Sequence, residues 1–181
     1  MREPKPWKHE KVEWLQDCRV FRVGRSLAHS PHGGDPHPFY RIDAEDWVNV
    51  VPLTPSGELV MVKQYRHGSR SVTLEIPGGI IEPGESPALA AARETLEETG
   101  YAGSTPELLG NVNPNPAVFG NRVHTYLIPD VEAVSEIANS PTEETVVELV
   151  PANQIPSLLK DGTIDHALVV AALHYWKLSQ D

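Results

Sequence analysis

The sequence predicts an α+β fold with a mixed sheet, helices on its faces and additional antiparallel strands at the N-terminus. Three observations lead there. Strand-like apolar runs fill much of the chain up to Ile76; one strong helix pattern follows, from Pro87 to Thr99; then come further strand runs, with two helical patterns only at the end. The 181 residues suit one domain with a small extension, divided as 1–45 and 46–181, and a 40% hydrophobic fraction can build its core.

The elements follow in order. Met1 to Glu10 is charged and proline-containing and reads as an irregular arm. Val12 to Val23 alternates weakly, with Val20, Phe21 and Val23 strand-like. Ser26 to Pro38 holds Ser30-Pro31-His32-Gly33-Gly34-Asp35-Pro36, a turn-rich loop; His29, His32 and His37 match no zinc spacing and have no cysteine with them. Phe39 to Leu53 reads as strand, centred on Trp47 to Val51. The turn Pro55-Ser56-Gly57-Glu58 and the returning run Leu59 to Tyr65 predict a hairpin. Val72 to Ile76, Glu107 to Val112, Arg122 to Ile128 and Val146 to Val150 read as strands. Pro114, Pro116 and Gly120 with Asn113, Asn115 and Asn121 make the segment 113–121 a shaped loop. Asn153 to Leu159 reads as a short helix stopped near Gly162. Ile164 to Leu178 reads as the last helix, with Leu168, Ala171, Ala172, Tyr175 and Trp176 toward the core.

The stretch from Gly78 to Tyr101 carries the chemistry. Ser86 suits an N-cap, Pro87 the first helical position, and Gly100 the left-handed residue beyond the last turn. Leu89, Ala92 and Leu96 recur at three- and four-residue intervals, which predicts a buried stripe. Glu94, Glu97 and Glu98 crowd the helix C-terminus. They repel one another at the end where the helix dipole is already negative. Arg93, four residues before Glu97 and eight after Glu85, offsets part of that charge, and a divalent cation offsets the rest. Carboxylates are hard oxygen ligands that suit Mg²⁺ or Mn²⁺.

Gly79, Glu85, Arg93-Glu94, Glu97-Glu98 and Gly100, at these spacings, resemble the Nudix box of a family of Mg²⁺-dependent hydrolases of nucleoside diphosphates linked to another group. Thr95 departs from the family, which usually has an aliphatic residue there. The resemblance implies a Nudix α/β/α sandwich, with Glu94, Glu98, Glu97 and the Gly78 carbonyl as metal ligands, and with Gly79, Glu85 and Arg93 shaping the box. Gln64-Tyr65-Arg66 resembles the phrase of the nucleotide-sugar branch, and an arginine at that strand end is a fork suited to a diphosphate. Pro116, 15 residues after Tyr101, is similar to a mark of the ADP-ribose pyrophosphatases. In those enzymes a glutamate from a later loop activates water or binds metal; here Glu143 or Glu144 fills that place, or Glu97 acts as the base. Trp47 and Tyr40 are aromatic candidates for a base-and-sugar pocket. Residues 1–45 look like the sheet that such members use to dimerise, and Trp14, Phe21 and Phe39 need apolar partners.

The formal net charge of −10 excludes nucleic-acid and anionic-membrane binding by a general basic surface. Single Cys18 excludes an internal disulfide, no apolar run reaches the ~20 residues of a membrane span, and no signal-peptide core precedes Lys11, so the expected compartment is the cytoplasm. The expected substrate is a nucleoside diphosphate sugar. The alternatives are a dinucleoside polyphosphate or oxidised-nucleotide hydrolase, and a non-catalytic module that binds a nucleotide sugar.

Overall fold

A computed structural model describes residues 3–140 and 142–180. Pro141, within the acidic loop after Asn139, and the N-terminal Met1 lie outside the described residues. The chain divides into two compact units, residues 1–45 with 113–122, and residues 46–112 with 123–181.

The first unit is an antiparallel sheet of β1 (Lys8–His9), β2 (Glu13–Asp17), β3 (Arg22–His29) and β4 (His37–Asp43). β4 pairs with β3 from Arg22 to Ala28, while β1 and β2 share the other edge of β3. Three expectations change here. The loop expected from Ser26 to Pro38 is confined to residues 30–36, because β3 runs on to His29 and β4 starts at His37. The N-terminal arm is not wholly irregular, because Lys8 and His9 pair with His29 and Ala28. Val20 and Phe21 are not strand. They lie in the turn between β2 and β3, closed by the Cys18 amide on the Phe21 carbonyl at 2.9 Å and by Arg19 at φ 67°. Trp14 lies under two guanidinium groups, Arg22 at 4.2 Å and Arg41 at 5.2 Å from its ring centroid, and both arginines pair with Asp43. Trp7 meets Phe39 edge-on at 5.5 Å. Trp14, Phe21 and Phe39 nevertheless stay substantially exposed. The loop 113–122 joins this unit by backbone. The Ile42 amide donates to the Val118 carbonyl at 2.7 Å, Ile42 bridges to Phe119, and Asn121 Nδ2 donates to the Glu45 carbonyl at 2.9 Å.

The second unit has a middle layer of two sheets. β5 (Trp47–Pro52), β8 (Gly78–Ile80), β10 (Glu107–Val112) and β11 (Val123–Ile128) run in the order β10-β11-β5-β8, with β11 and β5 parallel and the other pairs antiparallel. β6 (Glu58–Arg66), β7 (Ser71–Glu75) and β13 (Thr145–Pro151) form an antiparallel sheet in the order β13-β6-β7. A short pair, β9 (Tyr101–Ala102) with β12 (Glu132–Ala133), completes the strands. Strands covered on both faces must be apolar on both, which explains Leu59 to Val62 and Val48, Val50 and Val51; Asn49 among them donates its side-chain amide to the Leu168 carbonyl at 3.1 Å. Val48, Val50 and Val60 turn to one side, where they pack with Ala90 and Ala91 of α1 (Pro87–Thr99). Val51, Leu59 and Met61 turn to the other, against α2 (Ile155–Lys160) and α3 (Ala167–Leu178). Helices thus cover both faces of a mixed layer, as the α/β/α expectation requires.

The predicted hairpin does not form. β5 pairs with β8 and β11, and β6 with β7 and β13; among the described residues the two runs share one backbone bridge, Leu53↔Leu59, and otherwise meet by side-chain packing. The turn itself is present, closed by the Thr54 amide on the Glu58 carbonyl at 2.9 Å. Each strand finds a longer partner elsewhere, so the chain changes sheet instead of doubling back. The last helix begins at Ala167 and not Ile164. Its buried line is Val169, Ala172, Leu173 and Trp176: Ala172 and Trp176 lie in the core as expected, while Leu168, Ala171 and Tyr175 lie at its margin and Val169 and Leu173 take the inward places.

Candidate active site

α1 is built as its ends predict. Ser86 Oγ accepts from the Leu89 amide at 3.3 Å, Pro87 opens the helix, and Gly100 closes it at φ 73° with its amide on the Leu96 carbonyl at 2.8 Å. Its buried face is a correction. Leu89, Ala92 and Leu96 face solvent, and Ala90, Ala91, Thr95, Glu98 and Thr99 are buried. Small side chains let the helix sit close on the strands. Thr95 takes the place of an aliphatic residue without leaving its hydroxyl idle, since Oγ1 donates to the Ala91 carbonyl at 2.8 Å. The face turned inward is therefore the one that carries Glu94 and Glu98.

Arg93 organises the box. Nε and Nη2 donate to Oε1 and Oε2 of Glu85, both at 2.9 Å. Nη1 reaches Glu94 at 2.8 Å and Glu97 at 3.1 Å, and Nη2 also reaches the Ile80 carbonyl at 3.1 Å. Glu85 in turn accepts from the Glu82 amide at 3.1 Å, which ties the loop to the helix. The paired guanidinium holds the Glu85 carboxyl below its ordinary range. A Cβ at Gly79 would run into the Glu94 carboxylate, so any larger residue there displaces that side chain. Glu98, 6% exposed, accepts from the Gly78 amide at 3.1 Å. Burial pushes its carboxyl up to about 8 against that hydrogen bond, and the charges of Glu94 and Glu143 push the same way. Burial also raises Glu94, against the pull of Arg93, with Glu97 and Glu143 adding to the rise.

Among the described residues no three carboxylate, imidazole or thiolate groups already converge as a cation cage. Glu94 and Glu97 are turned onto Arg93, and Glu98 onto the Gly78 amide. The donor set still fits a hard divalent cation. Two largely buried carboxyls one turn apart are destabilised in their charged forms, and a cation replaces the missing positive charge.

Arg66 ends β6 and spends one edge on its own strand pair: Nε and Nη2 donate to Oε1 and Oε2 of Glu75, each at 2.8 Å. Its charge also acts on Glu98, and it feels Glu143. Glu143 sits in the loop before β13, with its amide on the Ser140 carbonyl at 3.0 Å and its carboxylate accepting from Ser140 Oγ at 2.9 Å. Glu144 is exposed beside it and lines an open groove of about 830 Å³ with Lys63, Tyr65, His67 and Val146. Trp47 starts β5 opposite Ile80 of β8. Tyr40 and Pro116 are exposed in the first unit. Glu75, Thr73 and His166 escaped the sequence reading. A signal existed. Glu75 is an acidic residue within the apolar run Leu74 to Ile76, which demands a buried cationic partner, and β6–β7 pairing puts Arg66 on the same sheet face.

A family model, the NUDIX domain, matches residues 45–173. Methanol dehydrogenase activator of Bacillus methanolicus is 31% identical over 135 residues, covering 74% of this chain and 72% of that protein. ADP-ribose pyrophosphatase of Bacillus subtilis is 29% identical over 134 residues, with the same coverages of 74% and 72%. ADP-ribose pyrophosphatase of Mycobacterium tuberculosis is 35% identical over 125 residues, covering 67% and 59%. A solved structure described as an ADP compounds hydrolase superposes with a TM-score of 0.85 at 24% identity, covering 98% of this chain and 95% of that one, and shares its fold. With the box filled and matched across most of its length, the chain belongs to the NUDIX family, as a hydrolase similar to that family's ADP-ribose pyrophosphatases.

Proposed function

We propose that the protein hydrolyses the diphosphate bond of nucleoside diphosphate sugars, ADP-ribose and its relatives, to a nucleoside monophosphate and a sugar phosphate, with Mg²⁺ as the working cation and Mn²⁺ as a substitute. The observation that carries this is the inward face of α1. Glu98 is buried and Glu94 largely covered one turn before it, with Arg93 as their cationic neighbour on the helix. Nudix hydrolases in general use divalent metal ions, and the names of the relatives point to ADP-linked substrates.

In this reading Glu94, Glu97 and Glu98, with the Gly78 carbonyl, hold the cation. When bound, it neutralises phosphate charge and makes a water more acidic. The chain's own residues do the rest. Arg66 keeps Nε and Nη2 on Glu75 and offers Nη1 to the diphosphate, the bidentate pair aligning the guanidinium with that carboxylate. Glu143 takes the proton from the attacking water. It is preferred over Glu144 because its charge acts on Glu94, Glu98 and Arg66, and over Glu97 because Glu97 is pinned by Arg93. Arg93 and Glu85 hold the box in shape. Trp47, Tyr40 and Pro116 are assigned to the base and sugar. The exposed aromatic residues of the first unit support a homodimer through residues 1–45, and the expected compartment is the cytoplasm. Among the described residues no helix is long and apolar enough to cross a membrane.

The test is kcat/KM with saturating Mg²⁺ for ADP-ribose, GDP-mannose, diadenosine polyphosphates and nucleoside triphosphates. The two sugars are expected to lead. A preference for triphosphates or dinucleoside compounds refutes the substrate class, and loss of all turnover only on Glu143→Gln, not Glu144→Gln, supports the base.

A further inference from the structure

Glu75 is 2% exposed and accepts four hydrogen bonds. Arg66 supplies two at 2.8 Å, Thr73 Oγ1 one at 2.6 Å to Oε1, and His166 Nδ1 one at 2.7 Å to Oε2. Thr73, Glu75 and Arg66 share one face of the β6–β7 pair. His166 comes from 91 residues further along the chain, immediately before α3. That helix is anchored in the core by Val169, Ala172, Leu173 and Trp176. Its cap position makes no side-chain capping bond, so the imidazole is spent on Glu75 and not on its own helix.

We infer that His166 is a positioning residue for Arg66, acting through Glu75; the inference rests on the diphosphate role proposed for Arg66. A carboxylate that held only the arginine fork would keep one torsional freedom, turning about its own side chain and carrying the guanidinium with it. Thr73 pins Oε1 and His166 pins Oε2, one from the same strand and one from a rigid helix. The plane of Arg66 is then fixed relative to the core, and Nη1 is presented in one direction. An ionised carboxylate can only accept, so Nδ1 carries the proton and donates.

The experiment uses the full-length protein and three variants. His166→Ala removes the imidazole, His166→Leu keeps its bulk without an N–H, and His166→Gln restores a donor. Hydrogen exchange at Arg66 Nε–H, followed by ¹⁵N NMR without substrate, reads the clamp directly. Exchange is expected to quicken at least tenfold in His166→Ala and His166→Leu and to return to within about threefold in His166→Gln. With ADP-ribose, KM is expected to rise about tenfold in the first two while kcat changes less than threefold, and Gln recovers KM. Unchanged Arg66 exchange in both donor-free variants overturns the inference. Quickened exchange with an unchanged KM supports the clamp and removes Arg66 from the diphosphate, so the two readings fail separately.

Discussion

Glu98 sits where a charged carboxyl is least at ease, and the protein keeps it there. Replacing it with Gln should lower kcat at least about a hundredfold at saturating Mg²⁺, the scale of losing a main electrostatic group. Near-normal turnover removes Glu98 from the ligand set. With a chelator present the same variant should melt at a higher temperature than the native protein at pH 8, because ionising a group raised to about 8 costs stability as pH climbs. Gly79→Ala should weaken Mg²⁺ binding by ten- to a hundredfold, since its methyl displaces Glu94; titration calorimetry checks it. Glu75 behaves in the opposite sense. Burial alone would raise its carboxyl, but hydrogen bonds from Arg66, His166 and Thr73 outweigh that and hold it far below the ordinary range. A depressed acid contributes stability above its unfolded pKa, and that stability is lost as pH falls through and below about 4.5. Urea midpoints between pH 7 and pH 3 should therefore fall more steeply for the native chain than for Glu75→Gln. Parallel curves refute the assignment.

At the scale of the element, α1 shows which parts of a helix a linear pattern discloses. Its cap, its first proline and its glycine stop could be read because they are local chemistry. Its buried face could not. Apolar periodicity points Leu89, Ala92 and Leu96 inward, whereas the helix lays Ala90, Ala91 and Thr95 on the strands and so brings Glu98 onto the Gly78 amide and Glu94 against Gly79. Leu96→Gln should accordingly change stability by less than about 0.5 kcal/mol, and Ala91→Leu should cost about 1–3 kcal/mol by overpacking against Val50 and Val60; thermal melts separate the two. The same limit explains the missing hairpin. Two apolar runs around a turn are compatible with pairing to each other or with joining two sheets, and only the competition of β7, β8, β11 and β13 decides it. Arg66 was legible as a fork at a strand end. Its partner Glu75 left a signal as a lone acid in an apolar strand, whereas His166 left none, because it reaches Glu75 from an element far along the chain.

For the whole molecule, assembly is tested best by point changes. Deleting residues 1–45 would also strip Ile42 and Glu45 from the segment 113–122. Phe21→Glu or Phe39→Glu, measured by light scattering at micromolar concentration, is expected to shift a dimeric native protein toward monomer; a monomeric native protein ends that proposal. The bond between Ile42 and the segment 113–122 carries a consequence for synthesis. Phe119 follows Ile42 by 77 residues, so the N-terminal strands leave the ribosome long before the piece that completes their unit. At about 5–20 residues per second the delay is roughly 4–15 s. Over that interval the nascent strands present Trp14, Phe21 and Phe39 without their own final loop. A chaperone that recognises exposed aromatic segments should therefore crosslink to ribosome-bound chains ending between residues 80 and 120, and should release those extended well past residue 160.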